Sequence, residues 1–161
     1  MKNVPVLHTS RCVMTEVTQD DIPFLRIIVE DDLFQKYIPE LYEVVSKTEG
    51  LAQFVSSLNM YVHKNEGFLW GIRKGNCLIG LIAIIDLSCD PTLLYAMHPA
   101  YRNQGLTKEC VMKAVSFYNT ISKINLQTEV YQDNIASLSI LKACGFKKTN
   151  CIGNKFVLSQ S

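Results

Sequence analysis

Close cysteine pairs are missing from this chain. Its six cysteines, Cys12, Cys77, Cys89, Cys110, Cys144 and Cys151, stand at wide, irregular spacings with no CxxC. That removes the structural zinc sites and dithiol redox motifs that need close pairs, so no metal is expected. An even count leaves disulfides open, but buried reduced thiols in a cytoplasmic protein fit the spacing better. Long apolar runs are also absent. The longest, Leu78 to Ile85, has Gly80 inside it and falls far short of a bilayer span. The first residues carry neither an apolar core nor a small-residue cleavage site, so no secretory signal and no membrane association are expected. Charge of one sign is not in excess. With 16 Lys and Arg against 15 Asp and Glu the net charge is +1, which supplies no electrostatic case for nucleic acid. Repeats, low-complexity tracts and linkers are lacking as well.

What remains is a chain of 161 residues, 48% apolar and 19% charged, enough to bury a sizeable core. We expect one domain over residues 1–161, with 1–10 as a loose N-terminal arm. Arg11 to Thr18 alternates weakly and predicts a first strand. Asp20 or Asp21 can cap the following helix, and Pro23 suits its first turn. Ile22, Leu25, Ile28 and Val29 repeat at helical spacing. Phe34, Tyr37, Ile38 and Leu41 predict a second helix interrupted at Pro39, and Leu51 to Val62 a further one. Two strands, Phe68–Arg73 and Cys77–Asp86, flank the hairpin signal Lys74-Gly75-Asn76. Leu93–Met97 is a strand, residues 106–122 a long amphipathic helix, and 124–131 another strand. Asn134 opens a last helix that Gly145 stops. Phe146–Thr149 and Lys155–Leu158 close the chain. A strand meander followed by a strand–helix–strand crossover predicts an α+β fold, a mixed α/β sandwich.

The stretch with most to say about chemistry is Arg102-Asn103-Gln104-Gly105-Leu106-Thr107, between the end of a strand and the start of a helix. Backbone N–H groups at a helix start bind anions, and Gly105 leaves room for a phosphate to approach the backbone. An ordinary strand-to-helix connection is the plain alternative.

Met97-His98-Pro99-Ala100-Tyr101 and this turn together resemble the acyl-CoA pyrophosphate motif of the GNAT N-acetyltransferase superfamily. Asn134-Ile135-Ala136-Ser137, with Ala143-Cys144-Gly145-Phe146, is spaced as in the branch of ribosomal-protein N-terminal and small-amine acetyltransferases. The resemblance implies a central, mostly antiparallel, splayed sheet of six or seven strands flanked by four or five helices. It also implies acetyl-CoA as co-substrate and an amine acceptor, either a small molecule or a protein N-terminus. Residues implied at the cofactor are Met97, His98, Arg102, Asn103, Gln104, Gly105, Leu106, Thr107 and Asn134. Backbone groups at Ala96, Met97 and His98 would meet the pantetheine arm and the thioester carbonyl. Thr107 departs from the family's Gly or Ala: its hydroxyl would bond a phosphate oxygen, or its methyl would crowd the cofactor. Arg102 and Lys108 either pair with phosphates or stay solvated.

The family's usual tyrosine acid would fall at Leu141, which has no proton to give. Ser137, three residues after Asn134, is the branch's substitute and the candidate general acid, unless it serves the helix terminus instead. Asn134 is both a natural N-cap and a pantetheine contact by resemblance. Glu129, Asp86 and His98 are alternative general bases, Glu129 the first candidate among them. Tyr95 is expected to be a wall of the site. Acceptor choice is expected from the helices between Asp31 and Lys64 and from the last hairpin, where an acidic run beginning at Glu30 would favour a cationic amine. The chain after Phe146 is shorter than in the ribosomal-protein branch. Leu141 and the lack of an evident base also fit a non-catalytic acyl-CoA sensor, and the oligomeric state, monomer or homodimer, stays open.

Overall fold

The computed structural model describes residues 3–160, and the chain is a three-layer α/β/α arrangement. Strands β1 (Leu7–His8), β2 (Val13–Thr15), β3 (Gly67–Lys74), β4 (Cys77–Ile85), β5 (Thr92–Met97), β6 (Gln127–Tyr131), β7 (Phe146–Ile152) and β8 (Lys155–Gln160) form an eight-stranded sheet. Their order is β1-β2-β3-β4-β5-β6-β8-β7. Among the described residues six α-helices accompany it: α1 (Ile22–Val29), α2 (Asp32–Tyr37), α3 (Pro39–Val45), α4 (Gly50–His63), α5 (Leu106–Ile121) and α6 (Ile135–Ala143).

Both counts exceed the expected ones, for local reasons. The eighth strand lies inside the segment expected to be a loose arm. Leu7 pairs with Met14 and His8 with Val13. Val4 and Leu7 are buried, and Trp70 donates its indole N–H to Pro5 O at 2.9 Å. A two-residue strand is too short to show a period, which is why the sequence conceals it. The sixth helix comes from Pro39. Ile38, forced out of helical geometry by the proline after it, has φ −134° and ψ 53°, so α2 ends and α3 restarts. The first strand is also shorter than expected. Thr18 caps a 3₁₀ turn over Gln19–Asp21, its side chain accepting from Asp20 N while Asp21 accepts from Thr18 N. The cap is therefore Thr18, and the Asp21 carboxylate serves Arg73 through two 2.9 Å hydrogen bonds.

Strand β3 is buried along six consecutive residues because helices cover both its faces. A Cβ on Gly67 would point at Tyr61 of α4, so odd positions face α4, whereas Phe68 and Trp70 stack together and meet Phe117 of α5 edge-on. All strand pairs are antiparallel but one. Parallel strands β5 and β6 pair only at Thr92 and Gln127, then part.

Candidate active site

The parting of β5 from β6 creates the site. His98 donates its N–H to Ile79 O at 2.7 Å, and Met97 lies opposite Gly80 in the β4–β5 register. Hydrogen bonding alternates along a strand, so Leu94 and Ala96 also direct their backbone groups to β4. The backbone N–H groups of Tyr95 and Met97 face the other way, into the gap. Of the three positions expected to offer backbone groups, Met97 therefore remains, while Ala96 and His98 are committed to β4. Tyr95 joins Met97.

Past β5, His98 Nδ1 accepts from Ala100 N at 3.0 Å and its ring meets Tyr101 edge-on. That lone pair is occupied, and His98 serves as a turn cap. Asn103 (φ 61°) and Gly105 (φ 77°) adopt left-handed backbone, which Gly105 accepts without strain. Gly105 occupies the N-cap of α5 and no side chain caps that terminus. Its first N–H groups are thus left for an external acceptor. Leu106 is buried and offers only its backbone.

Two neighbours of this turn escaped sequence reasoning. Arg11 donates to Gln104 O at 2.8 Å and to Glu109 Oε1 at 2.9 Å, and a Cβ on Gly105 would lie 3.3 Å from its Nη2. Thr9 also donates to Glu109. Arg102, the expected phosphate partner, instead bridges to Asp31 Oδ2 at 2.9 Å, with both side chains mostly buried. Asp31 in turn caps α2 by accepting from Leu33 N. The anion turn and the start of α2 are thereby tied together.

Asn134 Oδ1 accepts from Ser137 N at 3.3 Å, so the α6 cap is the asparagine. The Ser137 hydroxyl is not committed to the helix. It meets the Tyr95 hydroxyl at 2.5 Å. Burial pushes the Tyr95 phenol up to about 12, against a smaller opposing effect of its hydrogen bond with Ser137. Leu141 is fully buried, so its position points into the core and not into the gap.

Among the base candidates, Asp86 sits in the β4–β5 turn, where its carbonyl accepts from Cys89 N and Asp90 N. That is the end of β5 opposite Met97, so Asp86 is remote from the gap. Glu129 is exposed and shares a face of β6 with Tyr131, two residues on. Its charge helps raise the Lys155 ammonium, after the larger effect of the Lys155–Glu40 hydrogen bond. A cleft of about 420 Å³ lies there, lined by Lys36, Tyr37, Tyr131, Gln132, Asp133 and Asn154. Lys36 pairs with Asp133 at 3.4 Å, and Lys155 with Glu40 at 2.9 Å. The acidic run is therefore not a bare acidic face: Asp31, Glu30 and Glu40 each already hold a cation. A larger cleft of about 580 Å³, between α4 and the β2–α1 connection, contains none of these residues.

All six cysteines are free thiols, but only Cys12 and Cys110 are buried, with Cys144 partly so and the other three exposed. Among the described residues no three His, Cys, Asp or Glu side chains come together to hold a metal ion. No helix among them is long and apolar enough to cross a membrane.

Residues 11–147 match the acetyltransferase (GNAT) domain family. The chain belongs to that family. A comparison with curated proteins finds no significant match. Solved structures of the same fold include RimL, the ribosomal L7/L12 alpha-N-protein acetyltransferase, in complex with coenzyme A. It is 12% identical, with a TM-score of 0.83 over 96% of this chain and 95% of that one. The PaiA N-acetyltransferase of Thermoplasma acidophilum with coenzyme A is 15% identical, TM-score 0.77, covering 93% and 98%. Spermidine N-acetyltransferase of Vibrio cholerae with coenzyme A and spermine is 16% identical, TM-score 0.74, covering 93% and 94%. The GNAT fold of this acetyltransferase places the divergent β5–β6 pair at its centre.

Proposed function

We propose that this GNAT acetyltransferase transfers an acetyl group from acetyl-CoA to a primary amine by direct attack of the nitrogen on the thioester. The observation that carries this is the single β5–β6 pair at Thr92 and Gln127, which leaves the Tyr95 and Met97 N–H groups facing an open gap beside the uncapped start of α5. The turn at residues 102–107 fits a pyrophosphate: its backbone presents N–H groups, Gly105 lacks a Cβ, and the positive end of the 16-residue α5 helix points at it. In this reading the Met97 N–H lies against the thioester oxygen and stabilises the oxyanion that forms on attack. Comparable donors contribute about 3–4 kcal/mol. Asn134 contacts the pantetheine arm with the amide group not used at the helix terminus.

Ser137 acts on the departing sulfur. Glu129 takes the proton of the acceptor nitrogen, being the base candidate carried by β6, the strand that parts from β5. The acceptor enters past Tyr37 and Tyr131, where α2 and the last hairpin meet, and its class, small amine or peptide N-terminus, is set there. Free-thiol release from acetyl-CoA, followed across polyamines, amino acids and peptides with free N-termini, tests the reading. Release with one amine class supports it. Gly105→Trp should abolish acetyl-CoA binding in a calorimetric titration while circular dichroism stays native. Retained affinity would remove the turn from the site.

A further inference from the structure

We propose that Tyr95 is a positioning residue for the acyl transfer: its hydroxyl donates to Ser137 Oγ and so aims the Ser137 O–H at the thioester sulfur. This rests on the acetyltransferase reading above and deepens it. Tyr95 comes from β5 and Ser137 from the first turn of α6, so the pair closes across two elements that the sequence sets far apart.

The direction of the hydrogen bond follows from counting partners. Ser137 Oγ is the only hydrogen-bond partner of the phenol among the described residues. Were the serine to donate, the phenolic O–H, partly buried, would be left without an acceptor among the described residues. With the phenol donating, both hydroxyls are served, and the serine keeps a proton to present elsewhere. The helix makes no demand on that proton either, because Asn134 Oδ1 already satisfies the Ser137 N–H.

The step balances simply. The acceptor nitrogen forms its bond to the carbonyl carbon, and collapse of the tetrahedral species breaks the C–S bond with the electron pair going to sulfur. Ser137 O–H stabilises that sulfur by hydrogen bonding. The proton the sulfur finally carries replaces the one the nitrogen loses to Glu129, exchanged through water. Tyr95 keeps its own proton throughout. Its hydroxyl, pushed up to about 12, lies far above an ordinary thiol near about 8.5, so it orients and does not protonate. Leu141, where an α6 tyrosine would stand, is sealed in the core, and the phenol beside Ser137 comes from the strand β5.

The test is a double-mutant cycle on the full chain with Tyr95→Phe, Ser137→Ala and both together. It reads kcat, the KM for acetyl-CoA, and the calorimetric Kd. Phenylalanine keeps the ring, so folding is preserved. We expect Tyr95→Phe to lower kcat about tenfold with KM and Kd unchanged, and to have no further effect once Ser137 is alanine. Unchanged kcat in Tyr95→Phe, or the same fall in both backgrounds, overturns the positioning role alone. Wild-type protein that binds acetyl-CoA yet acetylates no amine overturns the acetyltransferase reading and the role together.

Discussion

The bridge between Arg102 and Asp31 makes a prediction whose sign runs against intuition: removing an acidic residue outside the anion turn should tighten acetyl-CoA binding. Arg102 can reach a pyrophosphate only by leaving Asp31, which it holds at 2.9 Å with side-chain exposures of 24% and 17%. Coulomb attraction at this separation is roughly 6 kcal/mol in a medium of intermediate polarity. Desolvation and the ordering of two side chains offset most of it, and partly exposed pairs contribute about 1 kcal/mol. Ligand binding must overcome that amount. Asp31→Asn removes the charge but keeps the α2 cap, since asparagine accepts from Leu33 N as aspartate does. The Kd for acetyl-CoA should fall about fivefold, the equivalent of ~1 kcal/mol. Calorimetric titration at fixed ionic strength measures it. The gain should vanish in Asp31→Asn combined with Arg102→Ala. Unchanged or weaker binding in Asp31→Asn would show that Arg102 stays on Asp31 in the complex and is a strap, not a phosphate ligand.

Two further predictions concern stability. Asp21 is almost fully buried; burial alone would raise its carboxyl, but the Arg73 hydrogen bonds, the Thr18 N–H and the Arg73 charge outweigh it and hold it below its ordinary value. A depressed carboxyl contributes stability above its unfolded value and loses it as pH falls through the folded one. Asp21→Asn should therefore lower urea stability by about 2 kcal/mol at neutral pH, discounted for the part-exposed Arg73, and by less at pH ~3. An equal loss at both pH values would refute this. Leu7→Ala should cost about 2–3 kcal/mol and shift the emission of Trp70 to the red, because buried Leu7 anchors the segment whose Pro5 carbonyl accepts from the Trp70 indole. A silent substitution would restore the loose-arm expectation.

Much of the fold was legible because local rules carry it. Pro39, the Lys74-Gly75-Asn76 turn and Gly145 mark boundaries by backbone stereochemistry, which needs no partner. The anion turn was legible for the same reason, since Gly105 and the start of α5 are neighbours in the chain. Strand β1 was not, because two residues acquire an identity only when β2 lies beside them.

The sequence by itself determined the order of strands and helices, the Gly105 turn, the Asn134 cap and the loss of a tyrosine at position 141, all properties of contiguous residues. Only the tertiary structure decided which groups are free. It committed His98 to Ile79 and Ala100, Arg102 to Asp31, and removed Asp86 to the far end of the sheet. It also brought the Tyr95 hydroxyl to Ser137 across forty-two positions of chain. A side chain's availability depends on what the fold places within 3 Å of it, and spacing along the chain does not record that distance.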